Sequence, residues 1–277
     1  MVAMETVKRL VVFDLDGTLA ESKQAVDPEM GRLLTELLAV RPVAVISGGD
    51  WPQFERQLVG FLPETADLSR LFLLPTSGTK LYRFDGAWHG VYAENFAAEE
   101  RDRIVAAVEN AVETAGLAKD AATGEKVEDR GSQITFSGLG QAASLEAKMK
   151  WDPDRQKRDR LKALLDEMLP DFSVRIGGST SIDITRRGID KAYGIGKLAE
   201  AAGITSDEML FIGDALYPGG NDAPVRAMGV STIAVRDIEE TKRVIGTLIQ
   251  SAKGETQPAS GDPTIIAANG PVPQHSR

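Results

Sequence analysis

The chain has 277 residues, 42% of them hydrophobic, so it is long enough to bury one large core or a core that carries a second domain. Lys and Arg number 32 against 41 Asp and Glu, and the net charge of −9 disfavours an extended contact with nucleic acid or an anionic membrane. The absence of cysteine excludes disulfides, thiolate metal sites and cysteine nucleophiles. No signal peptide and no apolar run of about 20 residues is visible, so we expect a cytoplasmic protein.

The first predicted element is a short strand at residues 10–13, a continuously apolar run that ends at an acidic, glycine-containing turn. Similar runs recur at residues 43–46, 71–74, 209–212 and 232–235. Helical periodicity between several of these runs indicates crossover connections, which join parallel strands. The sequence therefore predicts an α/β fold with a Rossmann-like, doubly wound parallel-sheet core.

The middle of the chain has a different pattern, which predicts an inserted α+β cap domain. Two extended segments at residues 80–84 and 88–92 flank Asp85-Gly86, a turn-forming dipeptide typical of a hairpin. The further elements predicted here are helices at about residues 97–116 and 153–168, and strands at residues 132–136, 172–176 and 181–184. We expect the core to comprise residues 1–85 and 188–250, the cap residues 86–187, and a disordered tail residues 251–277.

Chemically informative residues follow the predicted strands, at the edge where open α/β sheets bind their ligands. They are Asp14 and Asp16 after the first strand, Ser47 and Gly48 after the second, Thr76-Ser77-Gly78 after the third, and Asp214 after the fourth, with Gly219-Gly220-Asn221-Asp222 close behind. Asp14, Asp16 and Asp214 are hard oxygen donors that suit Mg²⁺. A cation there would offset the repulsion between an anionic Asp and a phosphate dianion.

Three further residues suit the oxygens of a phosphoryl group. Ser47 offers a hydroxyl, the turn at Gly48 leaves backbone N–H groups approachable, and Lys191 supplies a positive charge. Each motif alone has an ordinary explanation, as an acidic turn, a glycine turn or a solvated lysine. Their ordered placement after successive strands favours a phosphoryl-transfer site over those separate explanations.

Other kinds of site are disfavoured. Residues 194–197 have neither the spacing nor the Ser or Thr of a P-loop, and they suit a helix better. The only histidines, His89 and His275, fall in the predicted hairpin and the predicted tail. A Ser-His-Asp triad or a histidine-ligated metal is therefore not expected.

These segments resemble the haloacid dehalogenase superfamily of phosphotransferases, whose Asp-x-Asp-Gly-Thr, strand-end Ser or Thr, Lys and Gly-Asp motifs occur here in order. The resemblance implies that Asp14 is the nucleophile and Asp16 the general acid and base. It also implies that Asp14, the backbone carbonyl of Asp16 and Asp214 hold Mg²⁺. Ser47, Gly48 and Lys191 are then expected to bind the transferring phosphoryl group.

Within that superfamily the chain is most similar to the eukaryotic-type phosphomannomutases. Residues 213–222 match that family's Gly-Asp-x-x-x-Pro-Gly-Gly-Asn-Asp, and residues 177–183 and 188–191 also fit. The resemblance implies that Ser181 and Asp183 of the cap contact the sugar, and related caps often mediate homodimers. The family grips a distal phosphate with several arginines, whose positions fall here on Arg130, Gln141, Lys148 and Lys23.

Those replacements bear on the fate of the phosphoryl group. Arg makes planar, bidentate contacts with phosphate, whereas Lys is a point charge and Gln carries no charge. A mutase must hold a bisphosphorylated sugar while the sugar reorients in the site, whereas a phosphatase only has to admit a water molecule. The sequence thus favours a phosphatase acting on a sugar phosphate or similar small metabolite. A phosphomannomutase-like mutase is the alternative, and a catalytically silent sugar-phosphate-binding protein is a third hypothesis.

Overall fold

The computed structural model describes residues 8–255, which form two β-sheets with flanking helices. The strands are β1 (Leu10–Asp14), β2 (Val43–Ile46), β3 (Leu71–Leu74), β4 (Lys80–Phe84), β5 (Trp88–Ala93), β6 (Val127–Asp129), β7 (Gln133–Ser137), β8 (Phe172–Ile176), β9 (Ser181–Arg186), β10 (Met209–Gly213) and β11 (Ser231–Ala234). The α-helices are α1 (Pro28–Val40), α2 (Trp51–Gln57), α3 (Ala98–Thr114), α4 (Leu145–Trp151), α5 (Gln156–Met168), α6 (Lys191–Ala202), α7 (Ala223–Ala227) and α8 (Ile238–Glu255).

The large sheet has seven strands in the order β11-β10-β1-β2-β3-β4-β5. The pairs from β11 to β3 are parallel, whereas β4 and β5 add an antiparallel hairpin at one edge. The predicted α/β fold is confirmed, with the difference that the sheet is mixed rather than wholly parallel. The five predicted core strands are all present and deviate from the predicted bounds by one residue at most.

Both faces of the large sheet are covered, as the continuous apolar runs predict. Val11 and Phe13 of β1 pack with side chains of α1 and α8, whereas Leu10 and Val12 pack with side chains of α6 and α7 on the other face. The side chains of β1 alternate between the two faces because successive residues of a strand point in opposite directions. The central strand β1 is buried along its whole length and carries Asp14 at its carboxyl end.

The small sheet has four antiparallel strands in the order β6-β7-β9-β8. One face packs on helices α3 and α5 through Ile134, Phe136, Ile182 and Ile184. Strand alternation places Gln133, Thr135, Ser181 and Asp183 on the opposite face. The predicted sugar-contacting residues Ser181 and Asp183 therefore lie on the polar face of this sheet.

The structure differs in three details from what the sequence suggests. Strand β5 pairs with β4 in the large sheet, so the boundary expected at residue 86 falls inside a hairpin whose two strands share backbone hydrogen bonds. Residues 251–255 belong to α8, whose apolar stripe packs on α1, and not to the expected tail; residues 256–277 lie outside the described residues. Helix α4 and strand β6 were not predicted, because both are short and only partly buried.

The division into a core and a cap domain stays a prediction. Within residues 8–255, no helix combines the length and the apolar character that crossing a bilayer requires.

Candidate active site

The candidate site lies at the carboxyl ends of the parallel strands. Asp14 ends β1, Ser47 follows β2, and Asp214 follows β10. The pairing register sets Asp14 beside Ile46 and Phe13 beside Ile212, so the three strand ends are level. Residues far apart in sequence are thereby brought to one edge of the sheet, as the strand-end pattern predicts.

Three carboxylates meet at this edge. Oxygen atoms of Asp14, Asp214 and Asp222 lie within 4.8 Å of one another. Asp222 precedes α7, and its Oδ2 accepts a hydrogen bond of 3.0 Å from the backbone N–H of Ala215. Although the motif around Asp222 is visible in the sequence, we did not predict Asp222 as a site residue, because an Asp in a glycine-rich turn has a common structural explanation.

Lys191 links two of these carboxylates. Its Nζ donates to Asp14 Oδ1 and, at 2.5 Å, to Asp222 Oδ1. Lys191 is the first residue of α6 and is only 2% exposed. Burial by itself lowers the pKa of Lys191, but Asp14 and Asp222 more than offset that effect, so the pKa is raised and the ammonium keeps its charge.

The nucleophile candidate Asp14 is 4% exposed. The pKa of Asp14 is raised to about 7: burial is the largest cause, Lys191 opposes the rise, and Asp222 and Asp214 add to it by repulsion. Burial and the Asp222 charge likewise raise the pKa of Asp214. The cluster of three carboxylates and one ammonium thus carries uncompensated negative charge that costs free energy at neutral pH.

This donor set fits Mg²⁺. The ion prefers carboxylate oxygens with room left for water and substrate phosphate, and three carboxylates opposed by one lysine leave two negative charges. Asp14, Asp214 and Asp222 are the side chains that would hold it. The carboxylate of Asp16, predicted as a ligand, does not belong to this group among the described residues; the implied contact through the Asp16 backbone carbonyl stays a prediction.

The Gly-Thr that follows Asp16 has a structural role at this cluster. Gly17 has a positive φ of 86°, and a Cβ there would lie 2.7 Å from Asp214 Oδ2. The hydroxyl of Thr18 accepts a hydrogen bond of 3.1 Å from the backbone N–H of Asp214. Only glycine allows the loop after β1 to pass so close to the Asp214 carboxylate.

The turn at Ser47, Gly48 and Gly49 is here called the phosphate turn. It is held by hydrogen bonds from the loop that follows β3. The N–H groups of Thr76 and Ser77 donate to the carbonyls of Gly49 and Ser47 at 2.8 and 2.9 Å. Thr76 and Ser77 have positive φ values of 48° and 57°, a strained conformation that is frequent at functional sites. The carbonyls of the turn are thereby engaged by protein, and the Ser47 hydroxyl accepts from Gly49 N–H at 3.1 Å.

Asp16 is held apart from the carboxylate cluster. Gln53 Nε2 donates to its Oδ2 at 2.7 Å, while Gln57 Nε2 and the backbone N–H of Lys23 donate to its Oδ1 at 3.2 and 2.7 Å. Neither glutamine was predicted as a site residue, because α2 follows the phosphate turn with no distinctive motif. Their i and i+4 spacing on a helix was the available signal.

The predicted substrate-contacting residues lie close together. Burial raises the pKa of Asp183, and this rise is opposed by the charge of Arg130, a 2.7 Å hydrogen bond from Thr135, and Lys23. Lys148 has a pKa lowered by burial and by the charge of Lys23. The four charged residues that influence one another's pKa in this way form a cluster, here called the substrate-side cluster: Lys23, Arg130, Lys148 and Asp183.

The remaining predicted substrate-contacting residues, Ser181 and Gln141, lie next to that cluster. A Cβ at Gly177 would lie 2.6 Å from Ser181 Oγ and 2.9 Å from Asp183 Oδ2, so these two side chains share one place on the small sheet. Lys148 Nζ donates to the Gln141 backbone carbonyl at 2.9 Å, and the buried Gln141 amide nitrogen has no hydrogen-bond partner in the part of the chain that the structure describes. Arg130 also donates to the carbonyl of Gly48 at 2.9 Å, which ties the β6–β7 turn to the phosphate turn.

Comparison with known proteins identifies the family of this chain. The family model "Eukaryotic phosphomannomutase" matches residues 30–251. A "Probable phosphomannomutase" from Caenorhabditis elegans is 27% identical over 82% of this chain and 89% of its own length. The "Phosphomannomutase" of Schizosaccharomyces pombe is 29% identical over 86% of this chain and 94% of its own.

Solved structures share the fold at lower identity. The IMP-bound IMP-nucleotidase of Plasmodium falciparum superimposes with a TM-score of 0.65 at 14% identity, covering 89% of this chain and 69% of that one. A haloacid dehalogenase-like hydrolase from Bacteroides thetaiotaomicron gives a TM-score of 0.58 at 16% identity, covering 87% of this chain and 99% of that one. At these identities the likeness concerns the fold alone.

Proposed function

The chain belongs to the eukaryotic phosphomannomutase family within the haloacid dehalogenase superfamily, and we propose that it is a Mg²⁺-dependent phosphatase of small phosphorylated metabolites, most simply a sugar phosphate. The chain is an enzyme of the haloacid dehalogenase type. Hydrolysis, rather than transfer of the phosphoryl group to a second sugar hydroxyl, is the outcome that we infer for it.

The buried Asp14–Lys191 pair beside Asp214 and Asp222 is the observation that carries this proposal. A carboxylate buried against a lysine at the end of a central strand gains little for the stability of the fold, since desolvation offsets the attraction. The same arrangement suits an anionic nucleophile that must meet a phosphate dianion. When bound by these carboxylates, Mg²⁺ supplies positive charge that reduces the repulsion between the two anions.

The proposed reaction has two steps. In the first, an Asp14 oxygen attacks phosphorus while Asp16 donates a proton to the leaving alcohol oxygen, which forms an aspartyl-phosphate and a free sugar hydroxyl. In the second, Asp16 accepts a proton from water, which attacks the aspartyl-phosphate and releases inorganic phosphate. Lys191 and the phosphate turn, with Ser47 and Gly48, would bind the phosphoryl oxygens in both steps.

The substrate-side residues favour hydrolysis. Lys148 directs its ammonium to the Gln141 backbone carbonyl, and the Gln141 side chain brings no charge. Neither residue offers the bidentate fork with which an arginine holds phosphate. We infer that a second phosphate is held too weakly for a bisphosphorylated sugar to stay bound while it reorients.

A phosphosugar mutase is the second candidate. Family membership favours it, and so does the convergence of Lys23, Arg130 and Lys148 around Asp183, because three cations there suit a second anionic group. Isomerisation of mannose 1-phosphate in the presence of a hexose 1,6-bisphosphate would support the mutase. Release of phosphate without isomerisation would support the phosphatase.

A catalytically silent sugar-phosphate-binding protein is a third possibility, which the intact Asp14, Asp16 and Lys191 disfavour. The cytoplasmic location and a homodimer through the small-sheet region stay predictions.

The test of the proposed function is a screen of phosphorylated metabolites with Mg²⁺, using wild type and Asp14→Asn. We expect phosphate release by the wild type and a loss of at least about 10³-fold in the variant, because the nucleophile is removed. Substantial Mg²⁺-dependent phosphate release by Asp14→Asn would contradict the mechanism. A wild type without any turnover, but with beryllium fluoride and Mg²⁺ bound, would point to a silent site.

A further inference from the structure

Helix α2 presents two glutamines to the general acid and base candidate. Gln53 and Gln57 are four residues apart, so their side chains lie on one face of the helix, and both donate to Asp16. The backbone N–H of Lys23 is the third donor to this carboxylate. Three donors on one side chain fix both its position and its rotation.

The donors are distributed unequally between the two oxygens of Asp16. A carboxylate oxygen has two lone pairs. Oδ1 accepts from Lys23 N–H at 2.7 Å and from Gln57 at 3.2 Å, so both of its lone pairs are used. Among residues 8–255, the one donor to Oδ2 is Gln53 at 2.7 Å, so one lone pair of Oδ2 remains for a proton.

The surroundings of the two oxygens also differ. Gln57 is 2% exposed and donates in addition to the Gln24 carbonyl at 2.8 Å, so one donor to Oδ1 is a buried side chain that is anchored away from the phosphate turn. Gln53 lies over the phosphate turn, since a Cβ at Gly49 would be 2.2 Å from its Oε1. Oδ2 is therefore the oxygen on the side of the phosphate turn, where the reacting phosphoryl group is proposed to bind.

The orientation of the Gln57 amide has a cost in hydrogen bonding. Its Oε1 is buried and finds no hydrogen-bond partner among the described residues, whereas its Nε2 has two. The opposite orientation would turn Oε1 towards the Asp16 carboxylate. A buried acceptor left unsatisfied next to the proposed acid and base needs an explanation, and the positioning of Asp16 provides one.

We propose that Gln53 and Gln57 are positioning residues that make Oδ2 of Asp16 the oxygen which exchanges the proton in catalysis. As the bond between Asp14 and phosphorus forms, the bond between phosphorus and the leaving oxygen breaks, and its electron pair takes the proton from Oδ2. In the second step Oδ2 receives a proton from the attacking water. This inference rests on the proposed function, because it assigns geometry to the same acid and base.

Two substrates separate positioning from a general structural effect. Mannose leaves from its 6-phosphate as an alkoxide unless its O6 oxygen is protonated, whereas p-nitrophenolate leaves from p-nitrophenyl phosphate as a stable anion and needs no acid. A misplaced Asp16 should therefore slow the first step for the sugar phosphate only. The kcat/KM values report this step, because they cover the reaction up to the first irreversible event.

The experiment compares Gln53→Ala with Gln250→Ala, a matched glutamine in an exposed position of α8. We expect Gln53→Ala to lower kcat/KM for mannose 6-phosphate by about 10- to 100-fold, with the value for p-nitrophenyl phosphate within about twofold of wild type. Gln250→Ala should leave both values unchanged. Gln57→Ala should resemble Gln53→Ala where thermal unfolding shows that this more buried variant folds.

A second variant tests the same hydrogen bond between Gln53 and Asp16. Gln53→Asn keeps the amide but shortens the side chain by one methylene, so it should give the same selective loss with the sugar phosphate as Gln53→Ala. Equal losses with both substrates, or no loss in Gln53→Ala, would overturn the inference alone. Absence of wild-type turnover on both substrates would overturn the proposed function and this inference with it.

Discussion

At the residue scale, the site is defined by charges that the fold brings together against their own repulsion. Asp14, Asp214 and Asp222 come from separate strand ends and loops, and within residues 8–255 the cation paired with this group is Lys191. Folding a protein around such a group costs free energy unless a ligand compensates it. The excess of carboxylates is thus a functional feature whose cost is measurable in the metal-free protein.

Replacing Asp214 tests this cost. Burial and Asp222 raise the pKa of Asp214 above its usual 3.8, so its ionised form destabilises the folded state once the pH exceeds 3.8. We expect Asp214→Asn, in the presence of a chelator at neutral pH, to unfold about 2–4 °C above wild type. The difference should vanish as the pH falls through 3.8, where the carboxyl group is neutral in both states.

The response of the same variant to added Mg²⁺ serves as the control. Added Mg²⁺ should raise the unfolding temperature of the wild type by binding the folded state, and it should raise that of Asp214→Asn far less. A chelated Asp214→Asn protein that unfolds below wild type would contradict the view that these carboxylates repel one another in the folded state.

At the element scale, the connections between the two sheets are held by specific contacts. Arg186, the last residue of β9, donates to the carbonyls of Glu94 and Asn95 at 3.1 and 2.9 Å and to Glu100 Oε2 at 2.5 Å. Glu100 also accepts from the backbone N–H of Ala97 at the start of α3. The chain leaving the large sheet and the chain returning from the small sheet are therefore joined by one arginine and one glutamate.

This contact predicts a pH dependence of stability. The hydrogen bonds from Arg186 and from Ala97 lower the pKa of Glu100 from 4.5 to about 2. A depressed pKa contributes stability that is present above pH 4.5 and is lost as the pH falls towards 2. We expect Glu100→Gln to lower the free energy of unfolding by about 0.5–1 kcal/mol at neutral pH, a small effect because the pair is solvent-exposed.

Denaturant unfolding of wild type and Glu100→Gln between neutral pH and pH 3 measures this effect. The difference between the two proteins should shrink as the pH decreases. A difference that stays constant, or grows, on acidification would show that the Arg186–Glu100 contact does not stabilise the linked chains.

At the scale of the whole molecule, the sequence predicts the large sheet well and the small sheet less well. Continuous apolar runs identify β1, β2, β3, β10 and β11 because burial on both faces leaves no polar alternation to confuse the pattern. The hairpin β4–β5 was predicted as two strands, but its assignment to the large sheet depends on pairing with β3, which no local pattern reveals. Helix α4 is too short for a periodic signal.

The candidate site likewise divides into features that a local pattern reveals and features that depend on tertiary structure. The places of Asp14, Ser47, Lys191 and Asp214 at the sheet edge were predictable because each lies at or next to the end of an element whose direction is fixed. The motif of Asp222 was visible in the sequence, but its contact with Lys191 and the contacts of Gln53 and Gln57 with Asp16 depend on side-chain directions set by tertiary packing. The acid and base candidate Asp16 was found from its motif, but its hydrogen-bond partners required the structure.

The central claim is that Asp14 accepts the phosphoryl group, and trapping the covalent intermediate tests it most directly. Asp16→Asn should still form the aspartyl-phosphate from p-nitrophenyl phosphate, because nitrophenolate leaves without a proton, but should hydrolyse it slowly for lack of a base. We predict a stoichiometric burst of nitrophenolate and, after acid quench and peptide mapping by mass spectrometry, one phosphoryl group on Asp14. A phosphoryl group on another residue, or phosphate release by the wild type with no phosphorylated Asp14 in the variant, would contradict the account.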